Sequence, residues 1–449
     1  MTILNRLHLE NFKCFPDSSI DFGKITLLTG ANSSGKSSFM NSFLGVLQSK
    51  GFPFSYSTNG SYIDMGDYVE MVLNHDSTKD IVIGFQVQEG DRLFEINLKM
   101  SKSDDSSMPK VVGFTCSSDY FSFDINGDLY GGHFRYSLDY SPDKNPNSLV
   151  SNEERRKYII SKLLKDGSVN KDESDELISY LIELGKEIHI HDNQFDIHSQ
   201  DTSKEGSTKV LFQVISEVTL ALRRLNDHFN YVASYRTPPG RTYLERSTEK
   251  KLGPFGDGFV DVLLGWIKSD KDKFDRVIAT LRKLEILNDI KIDQMLGGSF
   301  NVLIKTAESG PFSSLYDVGF GVSQILPIVI ADMELGDQST LYAAQPELHL
   351  HPSVQAEFAS LMMQQVASCS KRYIIETHSE YLLNRIRLGI VKGIISENDV
   401  KVYYLQVVNG KSTISPLSFT KNGQILGAPD DFFKTYMMDV MNIAIEAME

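Results

Sequence analysis

The chain has 449 residues, of which 41% are hydrophobic and 23% charged. That balance excludes a disordered or fibrous protein and allows roughly two to three domains, or one large domain with insertions, with a sizeable core. Its 45 Lys and Arg against 59 Asp and Glu give a formal net charge of −14, so a contact with DNA needs a local basic patch or a partner protein.

Cys14, Cys116 and Cys369 are far apart and form no CxxC pair. This argues for a reducing compartment and against a disulfide framework or a structural zinc site. The start, "MTILNRLHLENF", lacks a long apolar core and a cleavage site, and no apolar stretch reaches membrane-spanning length. A cytoplasmic protein with no membrane partner is expected.

In chain order, residues 1–50 read as strand, strand, loop and helix. "RLHLENF" alternates apolar and polar positions, and "KITLLTG" is a short buried-strand pattern ending at Gly30. After Lys36 the residues Phe39, Met40, Phe43, Leu44 and Leu47 share one helical face. "DIVIGFQVQ" (80–88) and "LFEINLKM" (93–100) predict a small antiparallel sheet. From 101 to 208 turn-rich stretches surround two amphipathic patterns, "EERRKYIISKLLK" and "DELISYLIELGKEI", and an inserted, mostly helical arm is expected. Residues 209–230 and 258–290 read as helical, within a linking region (209–310) that returns to the core. From 311 to 449 the α/β alternation resumes: helix, strand (340–344), helix (352–367), strand "RYIIET", helix "EYLLNRIR" and strand "VKVYYLQV". With residues 1–100, this C-terminal part is expected to build one nucleotide-binding sheet, the middle of the chain being looped out.

"GANSSGKSS" fits G-x-x-x-x-G-K-[ST] as Gly30, Gly35, Lys36 and Ser37. In such a turn successive backbone N–H groups point at a β-phosphate, and glycines permit the conformation. The lysine reaches the β/γ oxygens, the serine ligates Mg²⁺, and the following helix offers its N-terminus to the anion. The motif follows an apolar strand and opens an amphipathic helix, the context it requires. An ATP-binding P-loop protein is expected.

Later segments arrive in a definite order. "YDVGFGVSQILPIV" (316–329) is a glycine turn leading into an apolar helix, strand 340–344 follows, and "IIETHSEYLL" ends a strand at His378. Together "LENFKCF", "LTGANSSGKSS", "GFGVSQILPI", "QPELHLHP" and "ETHSEYLLNRIR" resemble the ABC-like AAA proteins of bacteria. These include RecF/SMC relatives, overcoming-lysogenization-defect nucleases, and ATPase subunits of phage-defence systems such as Septu, Gabija and PARIS. The motifs cover about 1–50 and 311–400.

The resemblance implies an α/β P-loop fold of the ABC type, a mixed sheet flanked by helices, with a head-to-tail homodimer or a larger ring or chain of dimers. It implies that Gly30, Asn32, Ser33, Ser34, Gly35, Lys36, Ser37 and Ser38 bind ATP and Mg²⁺. Gly319, Gly321, Ser323 and Gln324 match the signature turn that closes on the other copy's γ-phosphate, with Gly321 where relatives carry Ser. His378 matches a switch histidine that senses the γ-phosphate, Lys13 a basic residue approaching the nucleotide, and Gln86 a lid-loop glutamine.

Relatives usually read Glu-Glu-Pro-Glu or Glu-Gln-Pro-Glu before "LHLHP"; here the residues are Ala344, Gln345, Pro346 and Glu347. The metal-shell acid expected at 344 is absent, a loss that costs about two to three orders of magnitude in rate. Three explanations stand open: a Glu→Ala replacement made to trap ATP, a slow ATPase using Gln345 or Glu347, or a chain that only binds nucleotide. His349 and His351 suit a turn better than a metal site, and His189, His191 and His198 fall in a polar stretch. Two functions follow from the resemblance. One is an ATP-gated sensor and scaffold of an anti-phage complex that controls a nuclease or toxin encoded nearby, with DNA reached through that partner. The alternative is a RecF-like repair ATPase that clamps DNA, which the acidic charge disfavours.

Overall fold

The computed structural model describes residues 2–141, 188–196, 205–244 and 251–429. The strands run β1 (Thr2–Phe12), β2 (Phe15–Asp21), β3 (Ile25–Gly30), β4 (Ile81–Glu89), β5 (Arg92–Lys102), β6 (Pro109–Ser118), β7 (Phe121–Asp128), β8 (His133–Tyr140) and β9 (Ile188–Asp196). They continue as β10 (Phe229–Val232), β11 (Tyr243–Leu244), β12 (Asp289–Gln294), β13 (Ser299–Lys305), β14 (Phe312–Ser314), β15 (Thr340–Ala344), β16 (Arg372–Glu376), β17 (Val400–Val408), β18 (Lys411–Phe419) and β19 (Ile425–Leu426). The helices are α1 (Lys36–Gln48), α2 (Tyr68–Met71), α3 (Glu205–Asp227), α4 (Phe259–Ser269), α5 (Lys271–Lys283), α6 (Phe320–Glu334), α7 (Pro352–Cys369) and α8 (Glu380–Val391).

The chain divides into two compact units. The first is Met1–Ser19 with Asn41–Leu225; the second is Ile20–Met40 with Asn226–Glu449.

The first unit is built on an eight-stranded sheet of order β2-β1-β4-β5-β6-β7-β8-β9, antiparallel from β1 to β9. Period-two patterning explains it: on β5, Phe94, Ile96, Leu98 and Met100 are buried while Glu95 and Lys99 face solvent. Aromatic side chains fill the buried face, with the Phe52 and Phe114 rings and the Phe114 and Phe123 rings each 5.4 Å apart. Helix α3 buries Leu211, Val214, Val218, Leu222 and Leu225 at helical spacing. It is tied to the sheet by the Tyr120 hydroxyl, which donates to Glu217 Oε2 at 2.7 Å.

This sheet corrects two expectations. The pair at 80–100 is the middle of a large sheet rather than a small one. Of the segment expected as a mostly helical arm, the described residues are β6–β9 and the start of α3. "VVGFTC" and "FSFDI" alternate apolar and polar positions, and the turn-rich "SKSDDSSMP" is the hairpin between β5 and β6. The two amphipathic patterns at 153–165 and 175–188 lie outside the described residues, except Ile188 at the start of β9.

The second unit holds a seven-stranded mixed sheet of order β10-β15-β16-β3-β17-β18-β19. The strands from β10 to β17 are parallel and the last two antiparallel. Every residue of β3, β10, β15 and β16 is buried, as in a parallel sheet covered on both faces. A core of Ile25, Leu27, Ile325, Ile328, Leu341, Phe358 and Ile375, among others, joins the sheet to α6, α7 and α8. A smaller antiparallel sheet, β12 and β13 with β11 and β14, stands beside it. The helical reading of 258–290 resolves into α4 and α5, broken at Asp270, whose side chain accepts from Lys273 N; Asp289 and Ile290 already belong to β12. The outcome is an α/β fold in which a strand read near the N-terminus sits among strands read near the C-terminus.

Candidate functional site

The site grows from the end of β3. Gly30 has φ +127°, and a Cβ there would stand 2.0 Å from the carbonyl oxygen of Leu405 on β17. Only glycine lets the chain turn this close to its neighbour. The loop then passes Ser33 at φ +59° and Gly35 at φ +92° before α1 begins at Lys36. Ala31, Asn32 and Ser33 are exposed, Ser34 is buried and Ser38 half-buried. The Ser34 carbonyl is anchored by Ser412 Oγ at 2.8 Å.

Lys36 is buried, and its Nζ donates to Gly30 O at 3.1 Å and Ala31 O at 2.8 Å. Its charge is therefore held against the carbonyls that open the turn. Burial lowers its pKa, opposed by the charges of Glu376 and Glu347. Ser37 Oγ donates to Glu376 Oε2 at 2.6 Å. Glu376 ends β16, is 2% exposed, and takes a second hydrogen bond from the Tyr342 hydroxyl on Oε1. Burial raises its pKa, while Ser37, Tyr342 and Lys36 oppose the shift. A serine hydroxyl and a carboxylate beside a phosphate-type turn are hard oxygen donors, the set that suits Mg²⁺.

Ala344 ends β15 directly across from Glu376 in the strand register. It is buried. The segment after it is pinned: Gln345 N donates to Glu376 O at 2.8 Å, and Arg236 Nη2 donates to Ala344 O at 2.7 Å and Gln345 O at 3.1 Å. Gln345 is left-handed, with φ +48°. Glu347 Oε1 accepts from His378 N at 2.7 Å, and its Oε2 is buried with no partner. Burial raises the Glu347 pKa, with His378 N and other donors opposing. The His378 side chain is exposed at the surface of this cluster. Partial burial, then the charge of Lys36, lower its pKa.

The glycine turn caps α6. Gly319 and Phe320 are exposed, and a Cβ on Gly321 would meet His349 O at 2.9 Å. Ser323 and Gln324 are buried in their own unit; Ser323 Oγ donates to Phe320 O at 2.9 Å, and Gln324 Oε1 accepts from Arg236 Nη1 at 3.5 Å. The outward face of the turn is Gly319 and Phe320, with Gly321 half-buried, and not the full run to Gln324.

Lys13 and Gln86 belong to the first unit. Lys13, at φ +50°, donates its backbone N–H to Met71 O, and Gln86 pairs across the sheet with Glu95. His351 Nδ1 accepts from Ser353 N at 3.3 Å and caps α7, while the His349 ring lies 5.8 Å from that of Phe320. No group of three metal-capable side chains occurs among the described residues. The side chains of His189, His191 and His198 lie outside the described ones.

Sequence reasoning passed over three residues that line this cluster: Glu376, Tyr342 and Arg236. The available signal for Glu376 was an acid closing the apolar run Tyr373–Ile375, beside Thr377 and His378. Arg236 offered only "YRTPPG", an arginine before a proline turn.

The chain matches the AAA ATPase domain family over residues 1–383. Among solved structures, it is similar to the Smc head domain with an extended coiled coil bound to the C-terminal domain of ScpA from Pyrococcus furiosus. There the identity is 12%, the TM-score 0.44 and the coverage complete on both sides. The SMC head domain from Thermotoga maritima is 9% identical with a TM-score of 0.40, over 92% of this chain and 98% of that one. No curated protein matches.

Proposed function

The chain belongs to the AAA ATPase domain family, and from that premise we propose that Gly30–Ser38 grips the phosphates of ATP and that the site hydrolyses it. The observation that carries this reading is the Lys36 ammonium held between the Gly30 and Ala31 carbonyls at the mouth of the turn. The N–H groups of the turn and of the α1 N-terminus serve the anion. Ser37 would hold Mg²⁺, which would supply neutralisation of phosphate charge. Gln345 and Glu347 are the groups that orient water for in-line attack. Glu347 has a buried oxygen without a partner, and burial raises its pKa, so it is the carboxylate of this cluster with an acceptor to spare for a water. His378, with its lowered pKa, is uncharged at pH 7 and offers a neutral hydrogen bond to the γ-phosphate.

A head-to-tail dimer fits the exposed edge Gly319–Phe320 at the α6 N-terminus, a second anion-friendly helix start. Motif order and the resemblance to defence ATPases support a sensor and scaffold role in an anti-phage complex that restrains a partner nuclease or toxin. The test starts with nucleotide. Lys36→Ala is expected to weaken binding of a fluorescent ATP analogue by about 100-fold, the scale of a lost charge-assisted contact, and to abolish ATP-dependent doubling of mass in sedimentation. Full affinity in that variant overturns the reading. Co-purification with the product of the adjacent gene, with and without ATP, tests the scaffold role.

A further inference from the structure

The carboxylate absent at position 344 has a counterpart one strand away. Ala344 and Glu376 are register partners at the ends of the parallel strands β15 and β16, so a side chain on either starts from the same level of the sheet, about 4.8 Å apart. From β16 the Glu376 carboxylate reaches Ser37 Oγ at 2.6 Å, the hydroxyl that follows Lys36. A buried acid is expensive unless a charge or several donors meet it. Glu376 has two hydroxyl donors, Ser37 and Tyr342, and the Lys36 charge nearby. Tyr342 itself lies on β15, two residues before Ala344 and wholly buried. The strand that lost the acid thus carries the hydroxyl that aims its replacement.

We propose that Glu376 supplies the metal-shell carboxylate of this ATPase, transferred from β15 to β16, and that Tyr342 is its positioning residue. The proposal rests on the nucleotide reading above and concerns only the metal. Glu376 and Ser37 would hold the ion together, while Glu376 Oε1 keeps its hydrogen bond from the Tyr342 hydroxyl, which fixes the rotamer. Ala344 is then a small residue beside the transferred acid. A second carboxylate there would stand against Glu376 in a buried site, where like charges repel.

The experiment separates metal from nucleotide. Mn²⁺ binding to the chain saturated with ADP is read by electron paramagnetic resonance, and ADP affinity is measured alone in EDTA. Glu376→Gln is expected to weaken Mn²⁺ by about 10- to 100-fold and to leave ADP affinity in EDTA within about threefold. Adding Ala344→Glu to that variant is expected to recover most of the Mn²⁺ affinity, because it returns an acid to the paired position. If Glu376→Gln does not fold, Glu376→Asp carries the test, with Mn²⁺ weakened about fivefold or more by the retracted carboxylate. Unchanged Mn²⁺ affinity in the folded variant overturns the proposal and leaves the nucleotide reading intact. Failure of the unaltered chain to bind ADP at all overturns both.

Discussion

Arg236 receives its meaning from groups that stand 88 to 109 residues further along the chain. Its guanidinium joins the Gln324 side chain to the carbonyls of Ala344 and Gln345, and burial lowers its pKa to about 10, so it remains charged. It is thus a fork that holds the end of β15 and touches the glycine-turn helix at once. Arg236→Lys keeps the charge and loses the fork. ATP turnover is expected to fall about 100-fold while ATP affinity changes by about threefold or less; unchanged turnover would show that the strand end holds without it. Glu334 makes a separate prediction. Burial pushes its carboxyl up to about 7, against the pull of Leu252 N, Lys251, Asn230 and Lys273. An unfolded glutamate releases its proton near 4.5. Between those values the folded chain binds more protons, so stability falls as pH rises through the window, by on the order of 3 kcal/mol. Glu334→Gln is expected to flatten that fall in urea unfolding at pH 5 and pH 8; equal falls in both proteins would refute it. At this scale the loop residues were legible because their spacing is local. Glu376 was not, since its partner Ser37 lies 339 residues earlier.

At the scale of elements, β3 and α1 are held together by a single turn whose first residue tolerates no side chain. Gly30→Ala would force a methyl against the Leu405 carbonyl at a φ that only glycine adopts freely. The expected cost is at least about 3 kcal/mol, read as a lowered thermal midpoint, with loss of nucleotide binding. A variant as stable as the parent would mean that β3 and β17 separate easily. Most core strands were readable because an all-buried strand is a short apolar run, as in "TLLTG" and "TLYAA". Helices α6, α7 and α8 were readable from their periodicity and bounds. The strands β6 to β8 were missed because their polar alternate residues, Ser, Thr and Asp, resemble loop composition when period two is not counted. The large sheet could not be read from pairs of strands alone, since edge-to-edge order is fixed by pairing and not by propensity.

At the scale of the molecule, two units are drawn from an interrupted chain. The second takes Ile20–Met40 from near the start and closes over it with Asn226 onward. Its sheet puts β3 between β16 and β17. The family match ends at residue 383, before β17 begins, so the strand against which Gly30 packs lies beyond the matched region. The net charge of −14 spreads over both units and makes tight binding of bare DNA at moderate salt an unfavourable expectation.

The placement of β3 has a consequence for how the protein is born. The two strands that flank β3 are translated more than 300 residues after it, and at about 5–20 residues per second that is a wait of roughly tens of seconds. Throughout it, a strand whose every residue is buried in the fold stands without these neighbours and must be shielded by a chaperone or by the growing chain. Ribosome-stalled chains ending before Arg372 are expected to retain no ATP on a nucleotide resin, and chains extended past Phe419 to capture it. Capture by the shorter chains would mean that the turn is competent without its sheet.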